Sequence, residues 1–343
     1  MKYFIKTYGC QMNVADGEQI AGWYESQGWQ AAQRIDKADE IVIVTCSVRQ
    51  TAEDRVYGLI NNLTKLKIQN SKLKIILTGC MLRYPLKWLK EKMPQVDEFR
   101  KMNEFKAEEK IRKSKTQAFV PIMEGCNQFC SYCVVPSARG REKSRPFEEI
   151  ICEVKELTKR GYQEITLLGQ NVNSYGKDLK KTKNSFANLL KEIHQVKGIK
   201  KISFLTSNPW DLTEEIIEAM SLPKIDRYLH LPVQSGDDEI LKKMNRKYIG
   251  KQYLELLEKI RKQIPEIKIG TDIIVGFPGE TEEQFQHTVD LCKKVGFVKA
   301  YVAMYSPRLN TIAFKLKDDV PHQEKKRRWK ILDDLINKTC QKC

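Results

Sequence analysis

A chain of 343 residues has room for two domains with a sizeable core in each, and 41% hydrophobic with 30% charged residues is an ordinary globular balance. No run approaches the roughly 18 apolar residues a membrane helix needs, and Met1-Lys2-Tyr3-Phe4-Ile5-Lys6 returns to charge too soon for a secretory signal, so a cytoplasmic location with no membrane partner is expected. The net charge of +16, denser at Lys177–Lys183 and Lys325–Lys330, suits a polyanionic partner such as RNA or DNA, although a solvated basic surface reads the same way.

In chain order, Tyr3–Thr7, Ile41–Thr45 and Lys74–Thr78 are short apolar or β-branched runs, with helix-like stretches at Asp16–Gln27 and Arg49–Lys67 between them. Alternating strands and helices predict an open parallel α/β sheet over residues 1–115. Each strand runs directly into a cysteine, namely Cys10, Cys46 and Cys80, two of them preceded by glycine. One such cysteine fits a small buried hydrophobe. Three at equivalent positions would converge at the carboxyl edge of the sheet, where ligands of such sheets bind. Residues Phe99–Lys115 are charged and poorly periodic, which suits a linker.

The second half, residues 116–343, carries six strand candidates: Phe119–Met123, Glu164–Leu168, Lys201–Leu205, Tyr228–Leu231, Lys268–Val275 and Val298–Met304. Helical patterns at Phe147–Arg160, Phe186–Val196, Thr213–Met220, Gly250–Ile264 and Glu280–Val295 fill the gaps. Six units fall short of the eight of a closed barrel, so a partial (β/α)6 barrel is predicted.

Ten cysteines in a large chain without a signal suggest metal ligands or catalytic thiols, not disulfides. Cys126, Cys130 and Cys133 form C-x3-C-x2-C in the loop after the first barrel strand, at the mouth where barrels do their chemistry. Structural zinc asks for four ligands. No fourth cysteine lies nearby, nor any of the four histidines, His194, His230, His287 and His322. Three thiolates can instead hold three corners of a [4Fe-4S] cube and leave one iron open. Turns at Gly169–Asn173, Leu231–Gly236 and Thr271–Glu280 supply amides and carboxylates, Asn171, Gln234, Asp272 and Glu280, that suit a cofactor cradle. Asp272 and Glu280 read equally well as solvated or capping groups.

The spacing resembles the signature of the radical S-adenosylmethionine enzymes. The resemblance implies that S-adenosylmethionine chelates the open iron and is cleaved to a 5′-deoxyadenosyl radical, with Tyr132 near the adenine. Three upstream cysteines before that signature resemble the methylthiotransferases, over nearly the whole chain. The segments Thr7–Asp16, Thr45–Arg49, Phe119–Cys126, Arg139–Pro146, Leu168–Gly176 and His230–Gly236 are most similar to the branch that modifies isopentenylated adenosine in tRNA. This implies a second [4Fe-4S] cluster on Cys10, Cys46 and Cys80 that carries the sulfur, and methylthiolation of C2 of N6-isopentenyladenosine beside the anticodon. It also implies a tRNA substrate and a reductant protein such as flavodoxin or ferredoxin, with the enzyme expected to be a monomer. A threonylcarbamoyladenosine tRNA or a ribosomal protein is the alternative substrate, and a non-catalytic iron–sulfur RNA-binding module the alternative class. Arg139, Arg141 and Arg145 suit tRNA phosphates, or salt bridges to Glu142, Glu148 and Glu149.

The chain departs from this family in three places. The usual C-terminal β-rich RNA-binding domain is expected to be absent, since the sequence stops at Cys340-Gln-Lys-Cys343. Asn208 stands where relatives commonly have histidine, and Leu309-Asn310 replaces the usual Pro-Gly. Cys152 and Cys292 fall in helical patterns and read as packing residues. Pro321–Lys338 reads as a basic amphipathic helix that packs on the barrel or faces tRNA.

Overall fold

The computed structural model describes residues 1–179 and 185–338 and contains two compact units. One comprises Met1–Lys115 with Ser137–Gly140; the other is Thr116–Pro136 with the chain from Arg141 onward.

In the first unit, strands β1 (Lys2–Thr7), β2 (Gln30–Ala31), β3 (Glu40–Thr45), β4 (Lys74–Gly79) and β5 (Glu98–Phe99) pair in parallel in the order β2-β1-β3-β4-β5. All of β3 is buried. Its alternation sends Ile41 and Ile43 to one face, with Val56, Ile60 and Leu63 of helix Gln50–Gln69. Val42 and Val44 go to the other, with Ile20 and Tyr24 of helix Gln11–Ser26. An unbroken apolar run is what a strand covered on both faces requires. Each such side chain contributes about 1.5–3 kcal/mol by leaving water.

The first helix starts at Gln11, five residues before the predicted Asp16, because its opening turn buries Met12 and the polar Asn13. The charged stretch 99–115 is not a free linker. Phe105 is fully buried against the Trp23 ring, with centroids 5.4 Å apart, and the Phe105 carbonyl accepts from Gln19 Nε2 at 2.8 Å. The Ile111 N–H donates to the Glu18 carbonyl at 3.1 Å, and Arg112 pairs with the Glu18 carboxylate at 3.5 Å. Gly22 admits this segment: a Cβ there would lie 1.8 Å from the Glu109 carbonyl oxygen.

The second unit has six parallel strands in two arcs. β6 (Gln117–Pro121), β9 (Glu164–Leu168) and β10 (Lys201–Phe204) pair in the order β10-β9-β6. β11 (Tyr228–His230), β12 (Lys268–Val275) and β13 (Lys299–Met304) form the second arc. A single bridge, Ile202 to Ile225, links the arcs. Helices Phe147–Lys159, Phe186–Gln195, Glu214–Met220, Gly250–Gln263 and Glu282–Val295 follow successive strands and pack with them in one core, so the predicted partial barrel is the observed one. A short antiparallel pair, β7 (Met123–Glu124) with β8 (Lys143–Ser144), lies outside the arcs.

Cys292 is buried as expected, but Cys152 is exposed. Its helix buries Ile150, Ile151, Val154 and Leu157, and the helical period turns position 152 away from that stripe. The final segment forms helix His322–Asp333 and a wider turn at Asp334–Lys338. Leu332 and Ile336 are buried, and Trp329 Nε1 donates to the Val302 carbonyl at 3.0 Å, so this segment packs on the barrel. Cys340 and Cys343 lie outside the described residues, as do 180–184.

Two helical glycines make a matched test. Gly22→Ala should lose about 1–3 kcal/mol because backbone stands where the methyl must go. Gly58→Ala, with nothing within 4 Å of a built Cβ, should gain up to about 1 kcal/mol from helix propensity. Thermal melts of the two variants should move in opposite directions.

Candidate iron–sulfur and cofactor sites

In the first unit the three thiols stand at the carboxyl ends of neighbouring strands: Cys10 after β1, Cys46 after β3 and Cys80 after β4. In the order β2-β1-β3-β4-β5 the direction of winding reverses between β1 and β3, which is where such sheets bind ligands. Asn13 Nδ2 donates to the Tyr8 carbonyl at 2.6 Å and to the Thr45 carbonyl at 2.9 Å. Thr45 Oγ1 donates to the Thr78 carbonyl at 2.6 Å and accepts from the Met81 N–H at 3.1 Å. Two side chains thus tie together the three strand ends that carry the cysteines.

The preceding glycines are dictated by contact. Gly9 has φ +109°, and a Cβ on it would meet Cys46 Cβ at 2.5 Å. Gly79 has φ +91°, with the Thr45 carbonyl 2.6 Å from a built Cβ. Neither backbone suits a residue with a side chain. Cys10 caps the N-terminus of helix Gln11–Ser26, where free N–H groups favour an anionic ligand. Burial pushes the Cys46 thiol up and the Cys80 thiol up to about 11, while the neighbouring Arg139 guanidinium pulls Cys80 down.

In the second unit Cys126, Cys130 and Cys133 share one loop after β6 and the short β7. Ser131 fixes it: its N–H donates to the Met244 carbonyl at 3.0 Å and its Oγ to the Lys243 carbonyl at 2.8 Å. Asn245 Nδ2 holds the Phe129 carbonyl at 2.9 Å. Phe129, Thr206, Gln234 and Asn245 all have positive φ without being glycine, a strained state that gathers at working sites. Burial is the main cause that pushes Cys126 and Cys133 up to about 12.

Among the described residues no three His, Cys, Asp or Glu side chains close around a single metal ion. A cube takes one thiolate at each of three corners, so it asks for a wider triangle than one ion does. The buried polar atoms of this unit without a partner among the described residues include Asn171 Oδ1 and Ser207 Oγ. Such orphans call for a bound group to satisfy them. Asn171 Nδ2 and Gln128 Nε2 meet on Asp211 Oδ2, at 2.7 and 2.9 Å, which joins the strand-end loop to the cysteine loop. The site therefore fits a three-thiolate cluster with a polar ligand beside it.

Arg246 was not legible as a site residue in the sequence. It is buried, donates to Cys130 Sγ at 3.4 Å, to Asn208 Oδ1 at 3.1 Å and to the Pro232 carbonyl at 2.9 Å, and stacks 4.6 Å from the Trp210 ring. Asn208 thus serves as an acceptor for the cation beside the Cys130 thiol. Tyr132 lies among Cys130, Cys133, Arg246 and Tyr248, and burial holds its hydroxyl protonated well beyond the usual range.

The remaining expected residues divide. Gln234 is buried, and its backbone bridges β12 through Asp272 and Ile274, at 2.9 and 3.0 Å. Asp272 Oδ2 lies 3.0 Å from His230 Nε2. Glu280 Oε2 accepts from Arg328 at 2.9 Å and from the Gly276 N–H, in a buried ion pair that anchors helix His322–Asp333. Removing Arg328 would strand that buried charge, at a cost of about 3–5 kcal/mol.

The arginines also differ from expectation. Arg139 pairs with Asp16 at 2.6 Å and is nearly buried, and Arg145 pairs with Glu153 at 2.7 Å, carboxylates other than those expected. Both guanidinium groups are already committed to carboxylates. Arg141 is exposed and lies over the Phe129 ring at 4.3 Å.

Comparison with known proteins gives consistent results. The radical SAM superfamily matches residues 120–292, and the Uncharacterized protein family UPF0004 matches residues 2–100. A tRNA-2-methylthio-N(6)-dimethylallyladenosine synthase of Clostridium tetani is 45% identical, over 99% of this chain and 82% of its own. A protein of that name from Carboxydothermus hydrogenoformans is 46% identical, over 98% of this chain and 83% of its own. In fold the chain is similar to the radical S-adenosylmethionine methyltransferase TsrM from Kitasatospora setae, with TM-score 0.61, 11% identity and coverage of 88% and 72%. It is also similar to the cobalamin-dependent radical enzyme OxsB, with TM-score 0.60, 10% identity and coverage of 99% and 56%.

Thiol reactivity should follow this geometry. In the iron-free chain at pH 8, iodoacetamide should reach the exposed Cys10 and Cys152 first. Cys80, at about 11, and Cys292, at about 12, should lag, because a raised pKa leaves little thiolate at that pH. Iron loading should protect Cys10 and leave Cys152 reactive, as read by peptide mass spectrometry.

Proposed function

This chain belongs to the radical S-adenosylmethionine tRNA methylthiotransferase family, and on that premise we propose that it methylthiolates C2 of N6-isopentenyladenosine beside the anticodon of tRNA. The observation that carries the reading is the pair of cysteine trios, each at the carboxyl edge of a parallel sheet. Cys126, Cys130 and Cys133 would hold the cluster that binds S-adenosylmethionine, and Cys10, Cys46 and Cys80 an auxiliary [4Fe-4S] cluster. When bound, these groups supply the radical that removes hydrogen from C2 and the methylated sulfur that replaces it.

The chain's own residues position and shield that chemistry. Arg246 places a fixed cation against Cys130 Sγ and neutralises charge gathered at the trio. Asn171 Oδ1 offers a buried acceptor and Ser207 Oγ a buried hydroxyl to the polar end of S-adenosylmethionine. Tyr132 and Tyr248, both near Arg246, wall the site from water. Asp272 is held by His230, which suits a ribose hydroxyl better than a charged amine. Of the three arginines, Arg141 is the one suited to a tRNA phosphate. With the +16 net charge it favours an RNA substrate by counterion release. A flavodoxin or ferredoxin would deliver electrons to a monomeric enzyme in the cytoplasm.

Anaerobic reconstitution should give about eight irons per chain, four for each cube. Replacing Cys10, Cys46 and Cys80 with alanine should leave about four irons and 5′-deoxyadenosine formation but abolish methylthio transfer. Replacing Cys126, Cys130 and Cys133 should abolish 5′-deoxyadenosine formation itself. Mass spectrometry of tRNA from a deletion strain should lose the 2-methylthio derivative of isopentenyladenosine. Loss of a different modification would overturn the substrate.

A further inference from the structure

Arg139 stands out among the charged groups because its position is built and its purpose is not explained by packing. It lies on the segment Ser137–Gly140, which packs as part of the first unit. Its side chain is only 7% exposed. One terminal nitrogen donates to Asp16 Oδ2 at 2.6 Å and to Asn13 Oδ1 at 2.8 Å. Asn13 is the residue whose amide ties the ends of β1 and β3 beside Cys10 and Cys46. Asn13 Oδ1, the acceptor of the Arg139 bond, also accepts from Cys10 Sγ at 3.9 Å. One cation is therefore fixed between the carboxylate of Asp16 and the Asn13 clamp, beside the trio, where it also pulls the Cys80 thiol down.

Burying a guanidinium is costly unless its donors are met, and a lysine or a solvated pair would serve a purely structural tie at this surface. A buried cation beside ligand sulfurs has a specific effect once iron is bound. It stabilises the reduced, more negative cluster, and so raises its potential. Asp16 fixes the orientation, much as a carboxylate fixes the ring of a metal-bound histidine.

We infer that Arg139 is a positioning residue of the auxiliary site, oriented by Asp16 and Asn13, whose fixed charge beside the trio sets the reduction potential of the cluster held there. Nothing in tRNA binding is asked of it. The inference rests on the cluster reading of Cys10, Cys46 and Cys80 given above.

The test uses the full chain with Cys126, Cys130 and Cys133 replaced by alanine, reconstituted anaerobically so that only the auxiliary signal is left. Iron is counted and the midpoint potential is read by electron paramagnetic resonance during redox titration. Arg139→Gln should hold its iron and titrate at a lower potential than the parent. Arg139→Lys, with one charge and no planar fork, should fall between the two. An unchanged midpoint in both variants overturns the inference. If Arg139→Gln does not load, Arg139→Lys decides alone: a lowered midpoint supports the role and a parental one overturns it. Absence of auxiliary iron from the parent itself would sink the cluster reading, an outcome distinct from iron present with an unmoved potential.

Discussion

Both cysteine trios face one constraint: the thiols must become anions where the protein itself makes ionisation costly. Burial pushes Cys80 to about 11 and Cys126 and Cys133 to about 12. Left alone, such sulfurs stay neutral at physiological pH and are poor ligands. A bound iron cluster reverses the balance, because its charge stabilises thiolates that the apolar surroundings do not. Each site also keeps one buried arginine beside its sulfurs: Arg139, bonded to Asn13 next to Cys10, in the first unit, and Arg246, bonded to Cys130 Sγ, in the second. The two units solve the same electrostatic problem by the same means on different sheets.

The scaffolds differ in how they converge their ligands. In the first unit the cysteines are distant in sequence, and convergence depends on three parallel strand ends tied by Asn13 and Thr45. In the second, eight residues of one loop carry all three cysteines, and the difficulty passes to the loop's own backbone. It is met by positive φ at Phe129 and by anchors from Ser131 and Asn245. A slip in strand register would scatter the first trio, whereas the second would survive it.

Much of this was legible in the sequence because the signals are local. A strand ending in Gly-Cys, or three cysteines within eight residues, needs no knowledge of distant partners. The long strands were found for the same reason, since β3 carries the apolar run Ile41–Val44 and β12 the run Ile273–Val275. The two-residue β2 and β5 and the β7–β8 pair carry no periodicity to read. The ion pairs failed for another reason: Arg139 and Asp16 are 123 residues apart, and Arg328 and Glu280 are 48 apart. Which carboxylate an arginine meets is a property of the folded packing. Cys152 was different, because the stripe at 150, 151, 154 and 157 already turned it outward.

The two arcs of the second unit meet at a weak joint. Between β10 and Ile225 there are two backbone hydrogen bonds, Ile202 N–H to the Lys224 carbonyl at 2.8 Å and Asp226 N–H to the Ile202 carbonyl at 2.9 Å. Asp226 adds side-chain ties to Ser203 and Lys201, each at 2.9 Å. Backbone pairing is therefore thin at this seam, and what holds the two arcs to one curvature is the single hydrophobic core that runs beneath both.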